Sequence, residues 1–185
     1  MRTLLLLGLL PLAVQAAEVA GVRIDDKTRV GNAELVLNGA GLRKRAFFQV
    51  YAIGLYLPQK NADARAVLEQ PGPKRVHIHM LRNVGAEAFT EALAEGIRAN
   101  HSEAEAKALE PRLGELAAIM AQLKEAKKDM AIALDWQPAT GTVLLVNGAP
   151  HGKPISGEDF YRALLRIWLG DKPVQDDVKK ALLGG

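Results

Sequence analysis

The amino-acid sequence predicts an α+β fold, in which a large antiparallel sheet packs against a layer of helices on one side. Strand-type alternation of apolar side chains occurs in the N-terminal third of the chain and again in residues 130–146. Between these regions, residues 86–123 change to the spacing of amphipathic helices. Because the strands follow one another without alternating helices, antiparallel pairing is favoured over a βαβ arrangement.

Residues 1–16 have the composition of a secretory signal peptide. Arg2 provides a positive start, residues 4–14 carry no charge, and Ala16 ends a pattern that a signal peptidase recognises. The uncharged run is too short to cross a bilayer as a stable helix. We therefore expect cleavage after Ala16, which leaves residues 17–185 as a single domain in the periplasm or outside the cell. A buried N-terminal helix is the alternative interpretation.

The composition excludes several classes of function. The chain has no cysteine, so disulfides, thiol nucleophiles and cysteine metal sites are excluded. The formal charge of +3 falls to +2 when Arg2 leaves with the signal peptide, and the lysines and arginines are dispersed along the chain. This balance predicts no nucleic-acid partner. No later run is long and apolar enough to predict a stable membrane span after the signal peptide is removed.

The N-terminal part of the domain is expected to form short strands followed by one long strand. The short strands cover residues 19–24, 28–30 and 33–37. Asn38-Gly39 indicates a turn or bulge, because both residues tolerate positive φ. The long strand covers residues 45–57.

The long strand is apolar on both faces. Tyr51, Ile53 and Leu55 fall on one face, and Ala52 and Tyr56 fall on the other. A strand of this kind is typically covered on both sides, so we expect packed layers above and below it.

Helices are predicted over residues 62–69 and 86–100, where apolar side chains recur at helical spacing. Ser102 with Glu105 three residues later forms a capping-box pattern at the start of the next helix. We expect Pro111 to interrupt that helix or to restart it, because proline lacks the backbone N–H.

The C-terminal part returns to strands and then ends in helices. Strands are expected over residues 130–136 and 142–146, and Asn147-Gly148 predicts a type I′ hairpin that leads into residues 149–155. Ser156 is expected to cap the helix that follows, and Trp168 lies on the buried face of that helix. A last short helix over residues 175–183 closes the chain.

The sequence predicts no metal site, nucleotide site or serine-hydrolase site. His77 and His79 share one face of a strand over residues 75–81, but no third ligand stands at a suitable spacing, and a half-exposed strand face explains the pair. Ser156 lacks the G-x-S-x-G pattern of a nucleophile elbow. Gly39-Ala40-Gly41 lacks the third glycine and the following helix of a phosphate loop. We therefore assign no cofactor.

Arg43 is the strongest candidate for a ligand contact. A guanidinium keeps its charge and matches the geometry of a carboxylate or an enolate oxygen. Beside a glycine-rich backbone and an apolar sheet, it would anchor an acidic head group, and Tyr51 would add a hydroxyl donor. In the alternative interpretation, Arg43 is a surface arginine next to Lys44 and Arg45 at a hairpin tip, and Tyr51 fills the core.

The spacing of Arg43 and Tyr51 argues against a shared site. Eight extended residues span about 26 Å, which is too far for one head group. A hairpin turn near Lys44-Arg45 would still leave Tyr51 about 16 Å from the tip. We therefore expect Arg43 and Tyr51 to act as two separate ligand contacts.

Three segments carry a resemblance to a known family. Residues 38–43 (NGAGLR) and 50–57 (VYAIGLYL) resemble the paired signature of the chalcone isomerase-like family. Residues 160–170 (FYRALLRIWLG) are similar to the end of its exported bacterial branch. The resemblance covers nearly all of residues 17–185. It implies an open-faced β-sandwich, with a large antiparallel sheet against helices and a ligand cleft between them.

The resemblance also implies roles for single residues. Arg43 matches the arginine that stabilises an enolate in the plant enzymes and holds the carboxylate in fatty-acid binders of the family. Tyr51 stands where the enzymes have a catalytic threonine. Phe89 and Gly96 fall near an enzyme tyrosine and asparagine, and neither can replace their hydrogen bonds. No catalytic residue is assigned, and the expected ligand-binding residues are Arg43, Tyr51, Tyr56, Phe89 and Ser156.

Three functions follow as hypotheses. The first is a non-catalytic, exported binder of a small amphipathic carboxylate such as a fatty acid, held between sheet and helices. The second is an isomerase that closes a chalcone to a flavanone, as the plant enzymes do. The third is an interaction protein that keeps the fold but has a filled cleft.

Overall fold

The computed structural model describes residues 16–185, so the predicted signal peptide lies outside the described residues except for Ala16. In the described range the strands are β1 (Ala17–Val19), β2 (Val22–Ile24), β3 (Lys27–Val30), β4 (Ala33–Arg45), β5 (Phe48–Leu57), β6 (Lys74–Met80), β7 (Val84–Gly85), β8 (Glu125–Ala126), β9 (Ala131–Gln137), β10 (Gly141–Val146) and β11 (Ala149–Pro150). The helices are α1 (Ala64–Glu69), α2 (Ala86–Ala99), α3 (Glu103–Ala121), α4 (Glu158–Leu169) and α5 (Asp176–Leu182).

Seven of these strands form one antiparallel sheet, in the order β11-β10-β9-β6-β5-β4-β3. The central strand β6 shows the alternation seen in the sequence, because every second residue from Lys74 to Met80 is buried. The predicted α+β class and the large antiparallel sheet are therefore confirmed.

The two faces of the sheet are covered by different layers. The larger core cluster lies on the helix side, where Tyr51, Ile53 and Leu55 of β5 pack with residues of α2 and α4. The smaller cluster lies on the opposite side, where Ala52 and Tyr56 pack with β1, β2 and β3. The prediction that the long strand is covered on both faces is confirmed, because alternate side chains of β5 enter different cores.

The region around Asn38-Gly39 is a bulge and not a turn. The register of β4 against β5 shifts between Leu37 and Gly39, and the strand then continues to Arg45. The buried Asn38 side-chain amide donates to the carbonyl of Leu182, the last residue of α5, at 2.7 Å. A Cβ atom at Gly39 would lie 2.8 Å from the carbonyl carbon of Leu182. The expected strand over residues 45–57 is shortened to β5, because residues 46–47 form the hairpin turn.

Three local predictions were wrong. Helix α3 continues through Pro111. Pro111 is on the exposed side of the helix, so water can bind the backbone carbonyl of the preceding turn that loses its N–H partner.

The prediction for the start of α4 was also wrong, because Ser156 does not cap this helix. Gly157 is the N-cap residue, with φ of 98°, and Asp159 accepts two hydrogen bonds from Arg112. The expected strand over residues 19–24 is divided into β1 and β2 by a turn at residues 20–21.

Candidate ligand-binding site

A cavity of about 690 Å³ lies between the sheet and α2, beside the end of the β4–β5 hairpin. Its volume falls within the range of small-molecule sites in proteins. Its apolar lining includes Val50, Phe89, Leu93 and Val174, and its polar lining includes Arg43 and Tyr51. The cavity therefore combines an apolar interior with a cationic and hydroxyl-bearing end.

Small residues on α2 create the space. Ala88, Ala92, Gly96 and Ala99 recur at helical spacing and all line the cavity. Larger side chains at the three alanine positions would take up part of the cavity volume. Gly96 has a second effect, since a Cβ atom there would lie 2.8 Å from Ile167, so its absence allows α2 to approach α4 closely.

Arg43 and Tyr51 are directly opposite each other on β4 and β5. Directly opposed residues of an antiparallel pair point to the same face with Cβ atoms about 5 Å apart. The expectation that Arg43 and Tyr51 lie too far apart to act together was therefore wrong. The reason is that Arg43 lies back along its own strand and not at the tip, and a bulge after Arg43 brings it into register with Tyr51.

Tyr51 is held in place from the helix layer. The indole Nε1–H of Trp168 donates to the Tyr51 hydroxyl oxygen at 3.0 Å. Because the indole is only a donor, the hydroxyl acts as acceptor in this bond and its own proton stays available. Burial raises the pKa of Tyr51, while the Trp168 hydrogen bond and the Arg43 charge act in the opposite direction. The phenol therefore stays protonated and can donate to an anion.

Arg43 has no acidic partner among residues 16–185, where the ion pairs involve other basic side chains. Its Nη1 donates to the Lys44 carbonyl and, at 3.3 Å, to the Gln175 side-chain oxygen. Gln175 also accepts from the Lys44 backbone N–H at 2.9 Å. These neutral contacts orient the guanidinium without neutralising its charge, which leaves it able to pair with a ligand anion.

The rim of the cavity adds further positive charge. Arg45, Arg82 and Lys172 line it together with Arg43, whereas Glu95 is the one carboxylate among the lining residues that the structure describes. An anionic ligand would therefore approach through a positive potential.

The five predicted ligand-binding residues do not all meet. Arg43, Tyr51 and Phe89 line the same cavity. Tyr56 points to the opposite face of the sheet, where its hydroxyl donates to the Asp25 carbonyl at 2.7 Å, and burial raises its pKa to about 12. Ser156 is exposed at the start of α4, away from the cavity. Neither Tyr56 nor Ser156 belongs to this site.

Two supporting residues were not found from the sequence. Trp168 was predicted only as part of the buried face of its helix, and Gln175 only as the first residue of the last helix. Both contact the site from segments more than a hundred positions away in sequence. The helical spacing of Trp168 indicated burial, but no sequence signal indicated its partner.

Neither a group of metal-binding side chains nor a membrane-spanning helix occurs in the part of the chain that the structure describes. Within residues 16–185, no group of three or more histidine, aspartate or glutamate side chains is arranged to hold a metal ion. Over the same range, no helix has both the length and the apolar composition needed to cross a membrane.

A family model described as chalcone isomerase-like matches residues 16–184. The chain belongs to the chalcone isomerase-like family. Comparison with curated proteins finds no match. Among solved structures, this chalcone isomerase-like protein is similar to an Arabidopsis thaliana fatty-acid binding protein, with 15% identity and a TM-score of 0.69. The alignment covers 88% of this chain and 92% of the plant protein. At this identity the likeness establishes the shared fold.

Phe89 and Gly96 of α2 both line the cavity of this chalcone isomerase-like protein. The family resemblance in the sequence places these two positions near a hydrogen-bonding tyrosine and asparagine of the plant isomerases. Neither side chain can hold a substrate or a water molecule by a hydrogen bond. The arrangement can therefore bind an anion at Arg43 and Tyr51, and α2 adds a largely apolar wall.

Proposed function

We propose that this protein is a non-catalytic binder of a small amphipathic carboxylic acid, such as a fatty acid. The observation that carries the proposal is the Arg43–Tyr51 pair, which places one unneutralised guanidinium and one free phenolic proton at the end of an apolar cavity. A carboxylate would accept from both groups, and an acyl chain would lie along the small residues of α2. The likeness to a fatty-acid binding protein supports the same ligand class.

The cavity volume argues against the hypothesis of a filled cleft. About 690 Å³ remains between the sheet and α2. The hypothesis of an isomerase loses support because Phe89 and Gly96 offer no hydrogen-bonding groups where the enzymes have them. Arg43 alone would stabilise an enolate but would not move a proton at neutral pH.

The binding proposal is tested with residues 17–185, purified and extracted for mass spectrometry, followed by titration with palmitic acid. We expect a co-purified acid or saturable binding, and weaker binding of methyl palmitate, which lacks the carboxylate. Arg43→Ala should weaken palmitate binding by about 1.5–3 kcal/mol, which corresponds to roughly tenfold to 150-fold. Arg29→Ala, at an exposed arginine of β3, is the matched control and should bind normally.

Two results would overturn this proposal. The first is the absence of both co-purified lipid and saturable binding. The second is measurable cyclisation of a chalcone by the protein that Arg43→Ala abolishes, which would assign an isomerase instead.

We also infer export with cleavage after Ala16. The composition of residues 1–16 supports this inference, because Arg2 precedes the uncharged run of residues 4–14 and Ala16 ends the pattern that a signal peptidase recognises. Expression of the full chain in a bacterium with a signal peptidase should give a periplasmic product whose N-terminal residue is Ala17. A product that keeps Met1, as measured by intact mass, would contradict the inference.

A further inference from the structure

The tip of the β4–β5 hairpin, residues 44–48, carries an exposed aromatic pair. Phe47 is 91% exposed and Phe48 is 55% exposed, and no other large hydrophobic side chain of the described residues is exposed. The two rings lie edge to face with centroids 5.9 Å apart. Two exposed phenylalanines at one tip expose apolar area that water solvates poorly, which marks an interaction surface.

Cations surround this aromatic pair. Lys44 and Arg45 precede the turn, are exposed and make no ion pair among the described residues. The Arg82 guanidinium lies 4.6 Å from the centre of the Phe48 ring. Lys172 lies on the rim of the same cavity that Arg45, Phe48 and Arg82 line. The hairpin tip thus presents apolar rings inside a group of positive charges.

We propose that the hairpin tip docks on the surface of an anionic lipid bilayer. The two phenylalanine rings would enter the boundary between head groups and acyl chains, where aromatic side chains are favoured. The lysine and arginine side chains would contact the lipid phosphates. Because Arg45 and Phe48 also line the cavity, docking turns the cavity mouth towards the bilayer.

The charges favour a bilayer over a second copy of the chain. In a symmetric dimer through this tip, Lys44 and Arg45 would face the same residues of the partner and repel them. The four phenylalanine rings of such a dimer would bury at most about 600–1,000 Å² in total, which does not exceed the roughly 1,000 Å² that a stable interface needs. An anionic bilayer complements both the rings and the charges.

The test is flotation of residues 17–185 with vesicles of phosphatidylcholine alone or mixed with phosphatidylglycerol. Residues 17–185 contain the seven-stranded sheet and both core clusters. They lack the predicted signal peptide, whose apolar residues would bind vesicles by themselves. We expect binding to the mixed vesicles, weakened by salt, and little binding to phosphatidylcholine. The double variant Lys44→Glu/Arg45→Glu should lose about 30-fold or more in affinity.

The charge control is the double variant Lys107→Glu/Lys153→Glu, at two exposed lysines outside the tip. It changes the net charge by the same amount as Lys44→Glu/Arg45→Glu and should retain binding to the mixed vesicles. Phe47→Ser should weaken binding about tenfold. Phe47→Trp should retain binding, and its emission should shift to the blue, because the native Trp136 and Trp168 are buried and contribute little change.

Three results would overturn the proposal. The first is no binding to the mixed vesicles. The second is equal binding by the Lys44→Glu/Arg45→Glu variant and its charge control. The third is self-association of the protein that Phe47→Ser abolishes, which would assign the tip to a second copy of the chain. Palmitate titration without vesicles separates this proposal from the ligand proposal. Phe47 does not line the cavity, so Phe47→Ser should keep its affinity for the free acid.

Discussion

Arg43 and Tyr51 form a directly opposed pair across the β4–β5 hairpin, although seven residues separate them along the chain. The bulge after Arg43 is what brings them into register. Tyr51 is in turn bonded to Trp168 of α4 at 3.0 Å. One cross-strand pair thus connects the cationic end of the cavity to the helix layer, so changes at Tyr51 should affect both binding and stability.

Tyr51→Phe should lower the free energy of unfolding by about 1–3 kcal/mol, because the buried indole N–H of Trp168 would lose its acceptor. Urea unfolding measures this directly. In a Trp168→Phe background the same change should cost about 1 kcal/mol less, since no donor is left unpaired. Equal costs in the two backgrounds would show that this hydrogen bond does not stabilise the fold.

Ala92→Trp should reduce palmitate affinity at least about tenfold, because an indole at this position of α2 would occupy the cavity. Ala92 is exposed, so the fold should be retained, as circular dichroism would show. Ala118→Trp, at an exposed position of α3, is the control and should bind normally. Unchanged affinity in Ala92→Trp would place the acyl chain elsewhere.

Gly96→Ala and Gly114→Ala should change stability in opposite directions, although both glycines lie inside helices. The added methyl at position 96 would lie 2.8 Å from Ile167, and overpacking of this kind costs about 1–3 kcal/mol. At position 114 no atom lies within 4 Å, so alanine should stabilise the helix by about 0.5–1 kcal/mol. Thermal unfolding of the two variants tests this, and destabilisation by both would contradict the packing argument.

The protein should lose stability as the pH falls below about 6.5, the ordinary pKa of histidine. Burial lowers the pKa of His77, and the neighbouring Arg75 charge lowers it further. Because its folded-state pKa lies below its unfolded-state pKa, protonation favours unfolding, and the loss grows until the pH passes the folded-state value. Denaturant unfolding across this range should show a smaller pH dependence in His77→Gln. An unchanged slope would assign the loss to other groups.

Much of the fold could be predicted from local patterns. The alternation in residues 75–81 predicts which side chains of β6 face the core, and the capping box of Ser102 and Glu105 is present at the start of α3. Asn147 and Gly148 both have positive φ, as the predicted hairpin requires. These features depend on neighbours a few positions apart, which the sequence displays directly.

The sequence by itself determined the α+β class, the two-sided burial of the long strand and the candidacy of Arg43. Only the tertiary structure decided that Arg43 and Tyr51 are paired and line one cavity while Tyr56 and Ser156 lie elsewhere. Strand register depends on the position of the hairpin turn and on a single bulge, and a shift of one residue reverses every side chain. The contacts of Trp168 and Gln175 with this pair depend on how distant helices pack, and no local pattern encodes them.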